Sequence, residues 1–268
     1  MAIHQTAIIS ETAKIPSSCE IGPNAVIGEN VVLGENVKVG AGAYLEFCEI
    51  GDDSIISPYA IIGTPPQDLG YKGEPTKVVM GKGCQIKEFV TINRGSGEGT
   101  ATVLGDRCFI MASAHIAHNC VLGDDVIMAN LATIGGHCHV GKCAWLGGMS
   151  VYHQNCTIGE YTIVSGFSAS RMDIPPYCKA DGRPAVSHGI NVVGLKRKGF
   201  TQEERTNLKN AYKILESCSM RQSDAADKIE AAYPNDKHVL RLAQFIRESK
   251  RGICFEQHVH KVHDDIEE

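Results

Sequence analysis

The chain has 268 residues, enough for one large domain or two modest ones with a sizeable core. Its 31 acidic residues outnumber 26 basic ones, so no global positive field draws it to nucleic acid. No window holds the roughly eighteen unbroken apolar residues of a membrane span, and the expectation is a chain without a secretory leader, because a regular pattern begins at Ile3.

That pattern has a period of six. Aliphatic residues fall at Ile3, Ile9, Ile15, Ile21, Ile27, Leu33, Val39 and Leu45, slip by one place, and resume at Ile50, Ile56 and Ile62. Six is neither the helical nor the strand repeat; it predicts a parallel β-helix built from hexapeptides. Three hexapeptides make one triangular coil, so residues eighteen apart stack. From Thr64 to about Val78 the chain reads TPPQDLGYKGEPTKV, and its two proline-containing segments take it off the ladder as an ejected loop. Met80, Ile86 and Ile92 keep the period, and a second ejected loop, GSGEGTA, follows from Gly95 to about Ala101 and reads as flexible. Function concentrates in loops thrown out of a regular scaffold. The first, with Asp68, Tyr71, Lys72 and Glu74, is the better candidate.

The longest run is Leu104, Ile110, Ile116, Leu122, Met128, Ile134, Val140, Leu146, Tyr152, Ile158 and Val164, without a miss. Within it Cys120, Cys138 and Cys156 are eighteen apart and predict an inward ladder of small side chains rather than disulfides or a metal site. No CxxC pair exists and the cysteine count is an odd 11, which fits a reducing compartment and a cytoplasmic protein. The same eighteen-residue frame places His118, His137, His153 and Gln154 at one edge of the prism on successive coils, about 4.8 Å apart. His115 lies just upstream, and His139 should point outward if Cys138 points in. Clustered imidazoles serve as general bases near neutral pH or as zinc ligands, and spacing alone does not choose between these.

The pattern ends at Asp173-Ile174-Pro175-Pro176, and a Gly- and Pro-containing linker is expected to about Gly194. Thr201-Gln-Glu-Glu204 is a capping box that opens a helix with apolar Leu208, Ala211, Tyr212, Ile214 and Leu215. A second helix is expected over roughly 224–233, stopped by Pro234. A third, capped by Asp236, carries Val239, Leu240, Leu242, Phe245 and Ile246 on one face and ends at Gly252. The division expected is a β-helix over 1–190, a small α-helical domain over 191–255, and a polar, frayed tail over 256–268 whose His258, His260 and His263 are read as solvated.

The stretch AHIAHNC (114–120), together with PPQDLGYKGEPT (65–76), IGGH (134–137), GGMSVYHQ (147–154), DIPPY (173–177) and GINVVGLKRKGF (189–200), resembles the UDP-N-acetylglucosamine O-acyltransferases that begin lipid A synthesis. The likeness covers nearly the whole chain. It implies a left-handed β-helix, against the usual right-handed crossover, and a homotrimer with active sites between subunits, which lets Asp68 and His118 come from different chains. It implies transfer of an R-3-hydroxyacyl group from acyl carrier protein to the 3-position of a UDP-amino sugar, with no cofactor, no metal and no covalent enzyme intermediate. His118 stands at the general-base position and Gly136 N–H at the oxyanion position. Asp68 would touch the sugar, and His115, His137, His153 and Gln154 would line the cleft. Asn191, Arg197 and Lys198 fall where the family holds the nucleotide and its phosphates. With Arg205, Lys209 and Lys213, the basic run 196–198 also makes a landing strip for acidic carrier protein. Gly166 matches the acyl-chain ruler.

Three departures stand out: Asn119 where the residue after the base is often Asp, Gly70 where many members carry Lys, and Val193 where many carry Glu. Lys72 is placed to substitute for the missing lysine. The changes on the sugar side resemble members whose acceptor bears a 3-amino group, which makes the amide product an expectation. Three rival readings remain: a zinc hydratase of the γ-carbonic-anhydrase type, the related UDP-3-acylglucosamine N-acyltransferase, and a non-enzymatic scaffold.

Overall fold

A computed structural model describes residues 2–217 and 222–255; the histidines expected in the tail lie outside the described residues. Short parallel strands build three sheets of eleven, nine and seven strands, one per face of a triangular prism. One coil shows the plan, with face 1 at Phe109–Ile110, face 2 at His115–Ile116 and face 3 at Val121–Leu122. The register is eighteen, with Phe109 opposite Ile127, His115 opposite Thr133 and Val121 opposite His139. The slip after Leu45 appears as a shortened coil that pairs Leu33 with Ile50.

Each hexapeptide turns two side chains inward. The aliphatic one is the period-six residue, and the other, two places earlier, is small: Cys108, Ala114, Cys120, Val126, Ala132 and Cys138 are all buried. The cysteine ladder is therefore core packing, and burial pushes the Cys156 thiol up to about 12. Burying each aliphatic side chain contributes about 1.5–3 kcal/mol. Between faces the chain turns in two residues, and the second is left-handed: Ser113, Asn119, Asp125, Leu131, His137 and Cys143 have φ between 57° and 63°. That conformation is unfavourable for residues with a Cβ. The turn is held by the N–H of its left-handed residue, which donates to the preceding coil, as His137 does to the His118 carbonyl (3.0 Å).

The first ejected loop runs between strands Ile61–Thr64 and Lys77–Met80, so Thr64, Lys77 and Val78 belong to the ladder rather than to the loop. The second lies between Thr91–Asn93 and Ala101–Leu104. After Pro176 the expected linker is instead a β-hairpin, Cys178–Gly182 and Ala185–Ile190, which extends face 1 with an antiparallel pair. Its alternating burial is too short to stand out in the sequence. Gly182, at φ 104°, makes the turn.

Among the described residues four helices follow: α1 (Val192–Arg197), α2 (Gln202–Ser217), α3 (Gln222–Ala232) and α4 (Lys237–Glu248). The short α1 lies partly in the stretch expected to be linker. The capping box forms as expected, Glu204 N–H donating to Thr201 Oγ1 (3.1 Å) and Thr201 N–H to Glu204 Oε2 (2.8 Å). Asp236 caps α4 through His238 and Val239 N–H. Helix α4 buries Val239, Leu242, Phe245 and Ile246, leaves Leu240 half-buried, and ends at Glu248, four residues before Gly252. No helix among the described residues is long and apolar enough to cross a membrane.

Candidate active site

The corner between faces 2 and 3 carries the histidines. His118, Gly136 and Gln154 occupy the first turn position on three successive coils, and Asn119, His137 and Asn155 the left-handed second. The His118 and His137 rings meet edge to face with centroids 5.2 Å apart. Gly136 is buried beneath the His118 imidazole: a Cβ there would lie 2.7 Å from Nε2 and Cε1. Only glycine leaves the ring room against the next coil. The Gly136 N–H has no acceptor among the described residues, so a donor stands beside the imidazole with no described residue to satisfy it.

His115 sits on the outer surface of face 2, half-buried, with Nδ1 2.7 Å from Thr91 Oγ1. Burial and then the neighbouring His118 hold its pKa below the usual histidine value, and His137 is lowered by the same two causes in the same order. His153 and Gln154 are exposed one coil further on, with His153 Nδ1 3.1 Å from the Gln154 carbonyl. His139 points outward as expected, but onto face 3, where it pairs with Val121 and Thr157. Among the described residues no group of three or more His, Cys, Asp or Glu is arranged to hold a metal.

Both ejected loops fold over this corner. Asp68 Oδ1 accepts from Gly70 N–H (2.9 Å) and Oδ2 from Ser96 Oγ (2.5 Å). The Ser96 bond, then the Gly70 bond, hold the Asp68 carboxyl below the usual carboxylate range, and His118 and His137 add smaller contributions. Asp68 therefore reaches the electrostatic neighbourhood of His118 within one chain; the pairing needs no second subunit. Lys72, the expected substitute for the missing lysine, is exposed in the same loop. Its N–H donates to Glu74 Oε2 (2.8 Å) and its charge bears on the same carboxylate.

The second loop, expected to be flexible, is tied down. Ser96 N–H donates to Asn119 Oδ1 (2.9 Å), Asn119 Nδ2 donates to the Ser96 carbonyl (3.2 Å), and Gly97 N–H donates to Glu74 Oε1 (2.8 Å). Arg94 pins the loops to the prism through Glu46 Oε1 (3.0 Å), the Gly63 carbonyl (2.9 Å) and Tyr71 Oη (3.2 Å), with its guanidinium 4.4 Å from the Phe47 ring centre. Sequence periodicity has no way to assign roles to Ser96 or Arg94, because both lie at or beside a break in the period.

These bonds determine the histidine's tautomer. Asn119 Oδ1 is an acceptor, since it takes the Ser96 N–H while Nδ2 is occupied by the Ser96 carbonyl. His118 Nδ1 lies 2.8 Å from that oxygen. Nδ1 must therefore carry the proton, which leaves the Nε2 lone pair free beside Gly136.

The other expected residues lie on different corners. Asn191 caps α1 through Gly194 N–H (3.0 Å) and donates to the Tyr161 carbonyl (3.0 Å), at the corner between faces 3 and 1. Lys198 acts electrostatically on Asp125 at that same corner, and Arg197 is exposed beside it at the end of α1. Gly166 lies at the third corner, between faces 1 and 2, exposed, where a Cβ would come within 3.1 Å of the Gly148 carbonyl. In a single chain the expected nucleotide, acyl and base positions thus occupy three separate edges.

Comparison with known proteins draws the same outline. Residues 173–254 match the family described as UDP-N-acetylglucosamine O-acyltransferase, domain 2; residues 101–136 match the bacterial transferase hexapeptide, six repeats; residues 3–96 match the GMPPB C-terminal domain. The acyl-[acyl-carrier-protein]–UDP-N-acetylglucosamine O-acyltransferase of Thermodesulfovibrio yellowstonii is 46% identical over 77% of this chain and 80% of its own. That of Campylobacter concisus is 41% identical over 94% and 96%. The solved UDP-N-acetylglucosamine acyltransferase of Francisella novicida superposes with a TM-score of 0.92 at 34% identity, covering 95% of this chain and 94% of that one. The coil is the left-handed β-helix that the resemblance implied. The chain is an acyltransferase and belongs to the acyl-[acyl-carrier-protein]–UDP-N-acetylglucosamine O-acyltransferase family.

Proposed function

We propose that the protein moves an R-3-hydroxyacyl group from the thioester of acyl carrier protein to the 3-position of UDP-N-acetylglucosamine, the first step of lipid A biosynthesis. The observation that carries the reading is a free Nε2 lone pair on His118 beside an unpaired, buried Gly136 N–H. His118 takes the proton from the acceptor as that atom attacks the thioester carbonyl. The tetrahedral oxyanion is held by Gly136 N–H, a contact worth about 2.7–4 kcal/mol when aligned. Collapse expels the carrier's thiolate, which recovers the proton from His118. Asp68 orients the sugar, and His115, His137, His153 and Gln154 line the cleft. No metal or cofactor enters these steps.

The separation of the three edges supports a homotrimer. In a three-fold ring each interface joins two different patches of neighbouring copies, so the histidine corner of one chain meets the Asn191–Lys198 corner or the Gly166 corner of the next. Asn191, Arg197 and Lys198 then hold the nucleotide and its phosphates, while Gly166 leaves room at the end of a long acyl chain. Exposed Lys209 and Lys213, four residues apart on α2, offer charge to the acidic carrier. The buried, unpaired cysteines favour a reducing, cytoplasmic setting.

The test is an activity panel: carrier thioesters of graded length against UDP-N-acetylglucosamine and its 3-amino analogue. Transfer to either acceptor, lost in His118→Ala, is the expected result. Retained activity in His118→Ala overturns the base assignment. A clear preference for the hydroxyl acceptor removes the 3-amino expectation drawn from Gly70 and Val193.

A further inference from the structure

Ser96 belongs to no part of the proposed chemistry, yet it touches Asp68, which orients the sugar, and Asn119, which faces the base. Its hydroxyl donates to Asp68 (2.5 Å), while its peptide N–H and carbonyl grip both ends of the Asn119 side-chain amide (2.9 and 3.2 Å). Asn119 in turn faces His118 Nδ1 at 2.8 Å. We propose that Ser96 is a positioning residue that couples acceptor recognition to the general base: one residue of the second loop fixes the sugar-binding carboxylate and the tautomer of His118 together. The inference rests on the functional reading above and deepens it.

The two halves of the clasp are chemically separate. The Ser96 hydroxyl occupies Asp68 Oδ2 and Gly70 N–H occupies Oδ1, so each carboxylate oxygen keeps a lone pair for a sugar hydroxyl. The peptide half needs no side chain. Because Asn119 presents its oxygen to both Ser96 N–H and His118, a rotated amide would set its NH₂ against the Ser96 N–H, donor against donor. The loop itself therefore prevents the flip that would leave the His118 proton on Nε2. The loop is anchored apart from the site, through Arg94 on Glu46 and Gly97 on Glu74, so it holds its place before substrate arrives. A corner in the regular ladder lacks this device: His137 N–H donates to the coil below, whereas Asn119 N–H takes Thr102 Oγ1 because the loop has displaced that coil.

The experiment separates the halves. Ser96→Ala removes only the hydroxyl: KM for the UDP-sugar rises about tenfold, as for loss of a hydrogen bond to a charged group, with kcat within about twofold, and Ser96→Thr restores KM. Its KM also begins to rise at a higher pH on the acid side, because Ser96 is the largest cause of the lowered Asp68 pKa. Asn119→Ala breaks the peptide half: kcat falls about ten- to a hundredfold while KM moves little. A wild-type KM in Ser96→Ala, or equal loss of kcat in both variants, overturns the coupling. The tautomer is read without turnover by ¹⁵N NMR of the full-length protein, with His118 assigned by its loss in His118→Ala. A protonated Nδ1 in wild type that becomes a tautomer mixture in Asn119→Ala is expected; a protonated Nε2 in wild type overturns the inference. An inactive wild type with the expected tautomer would instead sink the functional reading alone.

Discussion

Two corners of one prism, built by the same repeat, end in opposite chemistry. Between faces 3 and 1, side chains satisfy one another: Arg107 Nε donates to Asp125 Oδ1 (3.0 Å), Asp124 accepts from Asp106 N–H (2.9 Å), and Tyr177 Oη donates to Glu160 (2.6 Å). Between faces 2 and 3, the same backbone turn leaves the His118 Nε2 lone pair and the Gly136 N–H unpaired among the described residues. The turn geometry is common to both, down to a left-handed second residue, φ 57° at Asp125 and 60° at Asn119. Regular architecture therefore locates a site without making one. What makes it is a donor and an acceptor left open side by side, beneath loops that bring Asp68 and Ser96 over them.

The sharpest way to break this contrast is at its two centres. His118→Ala should lower kcat/KM by about 10²–10⁴-fold, the range of general-base catalysis, while the melting temperature is unchanged. Arg107→Ala at the other corner, where the nucleotide is proposed to bind, should act on KM and leave kcat within about twofold, because Arg107 pairs with Asp125 and not with the base; a comparable loss of kcat there would end the distinction. Next in size is Gly136→Ala. Its Cβ needs the space 2.7 Å from the His118 ring, and an imidazole displaced by an ångström costs about a hundredfold in kcat. Steady-state kinetics with a near-native circular dichroism spectrum would check both.

Asn119→Asp probes the hinge between loop and base. A carboxylate beside the imidazole favours its charged form, so the acid limb of the kcat/KM profile should move to higher pH. The new oxygen also faces the Ser96 carbonyl, so kcat at the optimum should fall several-fold at the same time.

The smallest effect is on stability. His115 and His137 have pKa values lowered from 6.5 by burial, and so does His238 between α4 and the prism. Each binds a proton more readily unfolded than folded, so the unfolded state carries more protons as pH falls below about 6.5, and stability declines there. Above 6.5 these three groups contribute no slope. A melting temperature that drops between pH 7 and pH 5, and drops less in His115→Asn, is the expected result; a flat profile would show that the corner accepts charge freely.

Much of this was open to reading along the chain. The period of six placed one inward residue per hexapeptide from Ile21 to Val164, filed Cys120, Cys138 and Cys156 as packing, and brought His118, His137 and His153 to one edge, because an eighteen-residue coil converts sequence separation directly into height along the prism. The helical caps at Thr201 and Asp236 were legible for a similar reason: their signals are local. The 178–190 hairpin was not. Its strands pair antiparallel with each other and with no hexapeptide period, so nothing in their spacing sets them apart from a linker. His139 followed its predicted outward direction yet reached another face, since two residues are enough to carry the chain around a corner.

Period and local spacing were thus sufficient for the scaffold, its core and the edge that bears the imidazoles, all set by short-range geometry repeated many times. The placement of Asp68 and Ser96 over that edge, the anchoring role of Arg94, the protonated Nδ1 of His118, and the separation of Asn191 and Lys198 onto another edge depended on contacts between residues tens of positions apart. Those contacts arise where the repeat is interrupted, and an interruption carries no register from which distances can be counted.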